Sequence, residues 1–294
     1  MDNFLAIVLK PDNLPIVGLL LSVLGYAWYS WTKMHRNDSQ EITEEAKMSD
    51  KIQVWPYLVK VEFIATILVM VILVVWSIFI NAPLEEPANP TLTPNPSKAP
   101  WYFLGLQEIL VYFDPWIAGV IIPTLIIIGL IVIPYIDNNE KGNGYYTFKE
   151  RKFALIVFGV GFIVLWVALI VLGTFMRGPG WYFFWPWEYW DTHRVVALTN
   201  VDLSELFGIH TRDANGNLNM IAVLFGIAIV LGYYAIGVWY WMKKKNTEWM
   251  KEYGLLRYSI TAFLFLTMMS LPIKIVLRLA LNIKYVLVTP WFNI

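Results

Sequence analysis

Residues 94–116 read PNPSKAPWYFLGLQEILVYFDPW. They lie between two apolar runs, 61–80 and 116–136, each long enough to cross a bilayer. The apolar part of the stretch itself, 101–113, is too short. At ~1.5 Å per residue a helix of that length reaches about 20 Å, against a hydrocarbon core of ~30 Å. Gln107 and Glu108 interrupt it, and Pro100 and Pro115 bound it. A short aromatic helix with one acid, held at the membrane surface between two spans, is placed to handle a lipid-soluble molecule and its protons.

Working outward, the rest of the chain reads as membrane protein. Of its 294 residues 58% are hydrophobic and only 15% charged, a balance far from that of a soluble domain. The 15 tryptophans are enough to furnish interfacial belts. Net charge is zero, which gives no footprint for nucleic acid. Cysteine is absent, which excludes disulfides, cysteine-held iron–sulfur clusters and covalent c-type haem on this chain. The start, MDNFLAIVLKPDN, lacks the basic region and cleavage site expected of a removable signal peptide.

Six spans are expected, at about 14–31, 61–80, 116–136, 153–175, 218–241 and 259–281. The fold class is therefore all-α integral membrane protein, with a short interfacial helix at 101–113. Asp114-Pro115 places a capping acid and a first-turn proline before the third span. Thr147 and Glu150 have capping-box spacing before the fourth, and Asn217 or Asn219 can cap the fifth. Loops 32–60, 137–152 and 242–258 together hold fourteen Lys and Arg, whereas the opposite side holds six. That bias puts these loops in the cytoplasm, and both termini and the 81–115 loop outside. Six prolines in 83–100 imply an extended, stiff approach to the short helix. In the sixth span, Pro272 is followed by Lys274 and Arg278, four apart on one face. Either the outer end of this helix snorkels to phosphates, or the helix breaks and its basic face meets an anionic lipid, an acidic partner or a quinone head group.

The region 54–175 resembles subunit IV of the cytochrome b6f complex, which corresponds to the C-terminal domain of cytochrome b in bc-type quinol–cytochrome c oxidoreductases. The resemblance rests on Trp55-Pro56, on Pro83, Leu84, Glu86, Pro87, Ala88 and Pro90, on Trp101-Tyr102-Phe103, and on Pro134 and Asp137 closing the third span. In that family a proline-rich run leads to a Pro-Glu-Trp-Tyr motif on a short outer helix that lines the quinol-oxidation site. The resemblance divides the chain into 1–53 with an extra span, the three-span region 54–175, and 176–294 with a Trp-rich outer loop and two further spans.

One departure matters. Where the family has Pro-Glu before Trp-Tyr, this chain has Ala99-Pro100. Quinol oxidation releases two protons, and the missing glutamate is one exit route that the resemblance implies. Glu108 is the candidate replacement. It follows Trp101 by seven residues, which returns it to nearly the same helix face, and Tyr112 lies one turn further on. Gly105 leaves room beside it. A carboxyl among aromatic side chains suits a proton acceptor. Pro100, Trp101, Tyr102, Phe103 and Tyr112 are the expected quinol-binding residues. Glu85 and Glu86 read as solvated, and Glu62 beside Lys60 is a weaker candidate for proton delivery on the cytoplasmic side, or an ion pair at the membrane edge.

Three histidines are present: His35 in the first cytoplasmic loop, and His193 and His210 in the outer loop. None is expected inside a span, so this chain alone is expected to bind no haem and no metal. The resemblance implies haem b on a separate cytochrome b N-terminal chain, an iron–sulfur cluster on a Rieske protein and haem c on a c-type cytochrome, in a dimeric complex among lipids of a bacterial inner membrane. Trp181, Trp185, Trp187 and Trp190 form an aromatic belt or a docking face for an extrinsic redox protein. The expected function is that of a membrane subunit that helps to form the outer quinol-oxidation site and proton exit. The alternative is a non-catalytic structural subunit of another electron-transfer complex. A transporter would need acids or broken helices near the midplane, and the spans hold almost no acids.

Overall fold

The computed structural model describes the chain except for residues 1, 12, 41–42, 50, 82–83, 85–86, 88, 92, 143–144 and 197–199. Pro83, Glu85, Glu86 and Ala88 of the proline-rich run thus lie outside the described residues. Elsewhere the structure is helical, with only isolated β-bridges among the described residues. Six helices are long and apolar enough to cross a membrane: Leu14–Ser39, Val54–Phe79, Ile117–Ile136, Lys152–Met176, Met220–Lys244 and Leu255–Leu281. The chain packs as two compact units. One comprises 1–97, 139–160 and 175–192, and the other 98–138, 161–174 and 193–294.

In the first unit, span one continues as helix past its expected end at Trp31, through the polar run TKMHRNDS. This places His35 on the helix rather than in a loop, edge-on to Trp31 with ring centroids 4.7 Å apart and 5.3 Å from the ring of Phe148. Asp38 explains the extension. Its carboxylate accepts the Thr147 hydroxyl and the backbone N–H groups of Phe148 and Lys149, each of the latter at 3.0 Å. The expected capping box of Thr147 and Glu150 therefore does not form. Thr147 is spent on Asp38, and the fourth span starts after Arg151 without a side-chain cap. Asp38→Ala is expected to cost about 1 kcal/mol, since hydrogen bonds to a charged acceptor are discounted at a half-exposed site. Faster amide exchange at Phe148 and Lys149 would show it, with spans three and five unchanged. The second span presents no buried residue within this chain, and Glu62 is exposed in the first turn of its α-helical part, Val59–Phe79. After span four, Trp185 stacks on Trp187 at 5.1 Å with both rings more than half exposed.

The second unit holds spans three, five and six, the middle of span four and the short helix. Asp114 Oδ1 accepts the N–H of Trp116 at 3.1 Å, so Asp114-Pro115 starts span three as its residues dictate. Asn219, of the two candidate asparagines, caps span five by accepting the N–H of Ile221. Spans five and six are pinned by hydroxyls where lipid offers no competing partner. Tyr233 Oη donates to Leu266 O at 2.6 Å, Tyr258 Oη to Gly237 O at 2.6 Å, and Tyr234 meets Thr267 at 3.0 Å. Span six does not break at Pro272 but runs unbroken from Leu255 to Leu281. The proline removes one backbone donor, and Ser270 Oγ binds the Thr267 carbonyl just below it.

Candidate functional site

The short helix is Trp101–Ile109. It is shorter than the expected 101–113, because 110–113 tightens into turns: the N–H of Val111 bonds to Glu108 O and that of Tyr112 to Ile109 O. Its start is tied down by its own side chains. Gln107 Oε1 accepts the N–H of Ala99 at 2.8 Å, and Lys98 Nζ donates to Thr174 O at 2.8 Å.

One face of this helix is pressed on span four. Leu104, Gly105, Glu108 and Ile109 are buried there, the spacing of a single helical stripe. One glycine, Gly173, makes the close approach possible. The space beside Gly105 is not open, as the sequence implied, but filled by Ile170 and Trp166, whose atoms would lie 3.4 and 3.7 Å from an added Cβ. At Gly173 a Cβ would lie 3.0 Å from the Leu104 carbonyl oxygen, closer than backbone tolerates without shifting. The start of span three, wound as a π-helix at Ile117–Ile121, brings Ile117 and Ala118 into the same cluster as Ile109, Tyr112, Phe113 and Leu169. Such π turns recur at functional sites.

Glu108 sits inside this cluster and is 0% exposed. It does not point to water. A carboxyl withdrawn from solvent requires hydrogen-bond partners, and the Tyr112 hydroxyl, itself on a 3% exposed residue, donates to Glu108 Oε1 at 2.8 Å. The structure thus brings together the two residues that helical spacing placed on one face. It does not bring the aromatic motif to them. Tyr102 and Phe103 stand on the opposite side of the helix, about half exposed, with rings 4.7 Å apart, while Trp101 is half-buried and Pro100 is exposed at the helix start. A buried acid hydrogen-bonded to a phenol is suited to accept and pass a proton. The exposed aromatic face is suited to meet a ring from outside this chain.

The sequence did not announce the contribution of span six and of the segment beyond it. Leu271, Ile275 and Ile294 pack on the cluster, and Asn293 Nδ2 donates to Asp114 Oδ2 at 3.2 Å. Lys274 does not snorkel: it is 3% exposed and donates to Lys284 O at 2.6 Å. The one signal was a lysine after a proline in an apolar run. Near it, Thr211 Oγ1 lies 3.0 Å from Asp202 Oδ2 and 3.1 Å from Glu205 Oε1. Burial pushes the Asp202 carboxyl up; the Thr211 hydroxyl and the Lys284 and Lys274 ammoniums oppose this, while Glu205 adds to it. A carboxyl raised on folding stabilises the fold fully only below its ordinary range near 3.8 and loses that contribution as pH rises through the folded value. Asp202→Asn is therefore expected to raise thermal stability at neutral pH, with the gain vanishing near pH 4, as a melting series across pH would show.

Of the histidines, His35 is held against aromatic rings and His193 and His210 are exposed. Among the described residues no group of three His, Cys, Asp or Glu is placed to hold a metal ion.

The short helix and the part of span four it packs on lie in the stretch of the chain that resembles known proteins. Residues 87–176 match the family described as cytochrome b (C-terminal)/b6/petD. A curated cytochrome b from Cyanidium caldarium is 25% identical over 150 residues, which cover 49% of this chain and 39% of that protein. The match thus spans about two-fifths of the length of that relative. No solved structure matches. The matched segment contains the short helix, the buried Glu108–Tyr112 pair and Gly173 of span four, so it is residues 87–176 that are similar to the cytochrome b (C-terminal)/b6/petD family, within a longer chain with six helices able to cross a membrane.

Proposed function

We propose that this chain is a membrane subunit of a quinol–cytochrome c type oxidoreductase and helps to form its outer quinol-oxidation site. The observation that carries the reading is the fully buried Glu108, bonded to Tyr112, on the short helix of the segment that matches the family. In this reading Glu108 takes the place of the glutamate missing at Ala99-Pro100. It takes up one proton released by the quinol through a relay around the helix rather than by direct contact, because it is buried on the face away from Tyr102 and Phe103, and Tyr112 holds it in place. Tyr102 and Phe103 give an aromatic wall to the quinol ring from the exposed side of the helix, with Pro100 and the half-buried Trp101 at its start. Haem b, the iron–sulfur cluster and haem c reside on partner chains: a cytochrome b N-terminal chain, a Rieske protein and a c-type cytochrome. The subunit works in a bacterial inner membrane with both termini outside, an orientation supported by the fourteen-to-six bias of basic residues.

A mild-detergent pull-down through this chain tests the assembly. Recovery of a haem-b chain, with a reduced-minus-oxidised b band reducible by quinol, is expected. A chain recovered without b haem would refute the reading and leave a structural subunit, which the lost motif glutamate alone favours.

A further inference from the structure

We infer that the segment after span six is a strap that fixes the exit end of the quinol-site helix, with Lys274 as its buried anchor. The inference rests on the proposed quinol site for its functional consequence, but not for its structural part.

Three independent contacts define the strap. First, residues 283–294 fold back on themselves. Leu287 and Ile294 exchange backbone hydrogen bonds, at 3.1 Å from the Leu287 N–H and 2.9 Å from that of Ile294. The folded end then reaches the short helix: Ile294 packs on its apolar cluster, and Asn293 binds Asp114, the residue that ends the turn after the helix and starts span three. Second, the strap is seated against span five at Gly226. A Cβ there would lie 2.7 Å from Val286 O and 2.9 Å from Leu287 Cα, both backbone atoms that cannot swing aside. Third, Lys274 of span six reaches beneath the strap. Its ammonium donates to Lys284 O and lies 5.9 Å from the Phe113 ring and 5.8 Å from the Tyr285 ring. One buried cation therefore contacts both the strap, at Lys284 and Tyr285, and the end of the quinol-site helix, at Phe113.

A buried ammonium is retained only when its surroundings compensate its charge. Here the carbonyl and two ring faces do so directly. Asp202 adds opposite charge and Arg278 opposes it. Asp202 is itself held to the strap, since the N–H of Leu203 bonds to Tyr285 O at 2.8 Å and that of Lys284 to Val201 O at 2.9 Å. Phe113 directly follows Tyr112, the partner of Glu108. Lys274 is thus a positioning residue: it acts on the acid through the turn that carries Tyr112. This gives the two added spans a role that the three-span family region lacks, namely to hold the outer helix from behind.

The test uses two variants of the full chain in its complex, acting by different chemistry. Lys274→Met removes the cation while keeping the bulk, and Gly226→Ala lifts the strap off span five. Hydrogen–deuterium exchange is expected to rise about tenfold at 109–118 in both, with spans one and two unchanged. Lys274→Gln, which keeps a donor for Lys284 O, should recover part of the protection. In quinol oxidation, the KM for quinol should rise several-fold more than kcat falls, because a displaced wall weakens binding before chemistry. Unchanged exchange at 109–118, or a rise shared equally by every span, would overturn the strap. A local rise with an unchanged KM would overturn its link to quinol. Should the wild-type complex oxidise no quinol, the proposed function fails while the exchange experiment still decides the strap.

Discussion

Glu108→Gln is expected to lower quinol oxidation by about 100-fold in the assembled complex, the range over which a positioned acid or base contributes. Glutamine keeps the size of the side chain and still accepts the Tyr112 hydroxyl bond, so the apolar cluster around it should survive. What it cannot do is take a proton. The loss should therefore appear in kcat, with the b haem spectrum and the subunit composition of the complex intact. Glu108→Asp tests the geometry. A carboxyl one methylene shorter retracts from Tyr112 and should recover only part of the rate. Steady-state reduction of a c-type cytochrome by quinol is the assay. A rate within twofold of wild type in Glu108→Gln would remove the proton-acceptor role.

Gly173→Ala is expected to cost about tenfold in the same assay without removing any polar group. The new methyl would sit 3.0 Å from the Leu104 carbonyl oxygen and 3.3 Å from Leu104 Cβ. Neither atom can rotate away, so the short helix must move off span four by a few tenths of an ångström or more. Rates that depend on near-contact geometry fall steeply with displacements of ~1 Å. Gly105→Ala is the control. Its methyl would meet only side chains, the nearest at 3.4 Å, and should be tolerated. Equal rates in both variants would mean that the seat of the short helix on span four is irrelevant to turnover.

The six spans were legible because the bilayer forces them: runs of apolar residues bounded by basic loops have few other folds. Their ends were less so. Asp38 and Thr147 are 109 residues apart, and nothing local predicts that one would claim the other's hydroxyl and cancel a capping box. Helical spacing correctly put Glu108 and Tyr112 together, because i and i+4 share a face even where the helix gives way to turns. Spacing alone could not say which face would be covered. The resemblance puts the aromatic residues of the motif and the acid in one site, yet Tyr102 and Phe103 face away from Glu108. Lys274, for which the sequence allows either an outer-end cation that snorkels or the basic face of a broken helix, is neither in the folded chain. Its burial depends on Lys284, Tyr285 and Phe113, which converge on it only in the folded chain.

The most direct test of the central claim is to place a quinone on the short helix. A photoreactive quinone analogue is activated on the purified complex and the labelled peptides are mapped. Labelling within 100–113 of this chain, abolished by excess quinol and weakened in Glu108→Gln, is the predicted result. Labelling confined to other chains, or indifferent to quinol, would contradict the assignment of the outer quinol site to this helix.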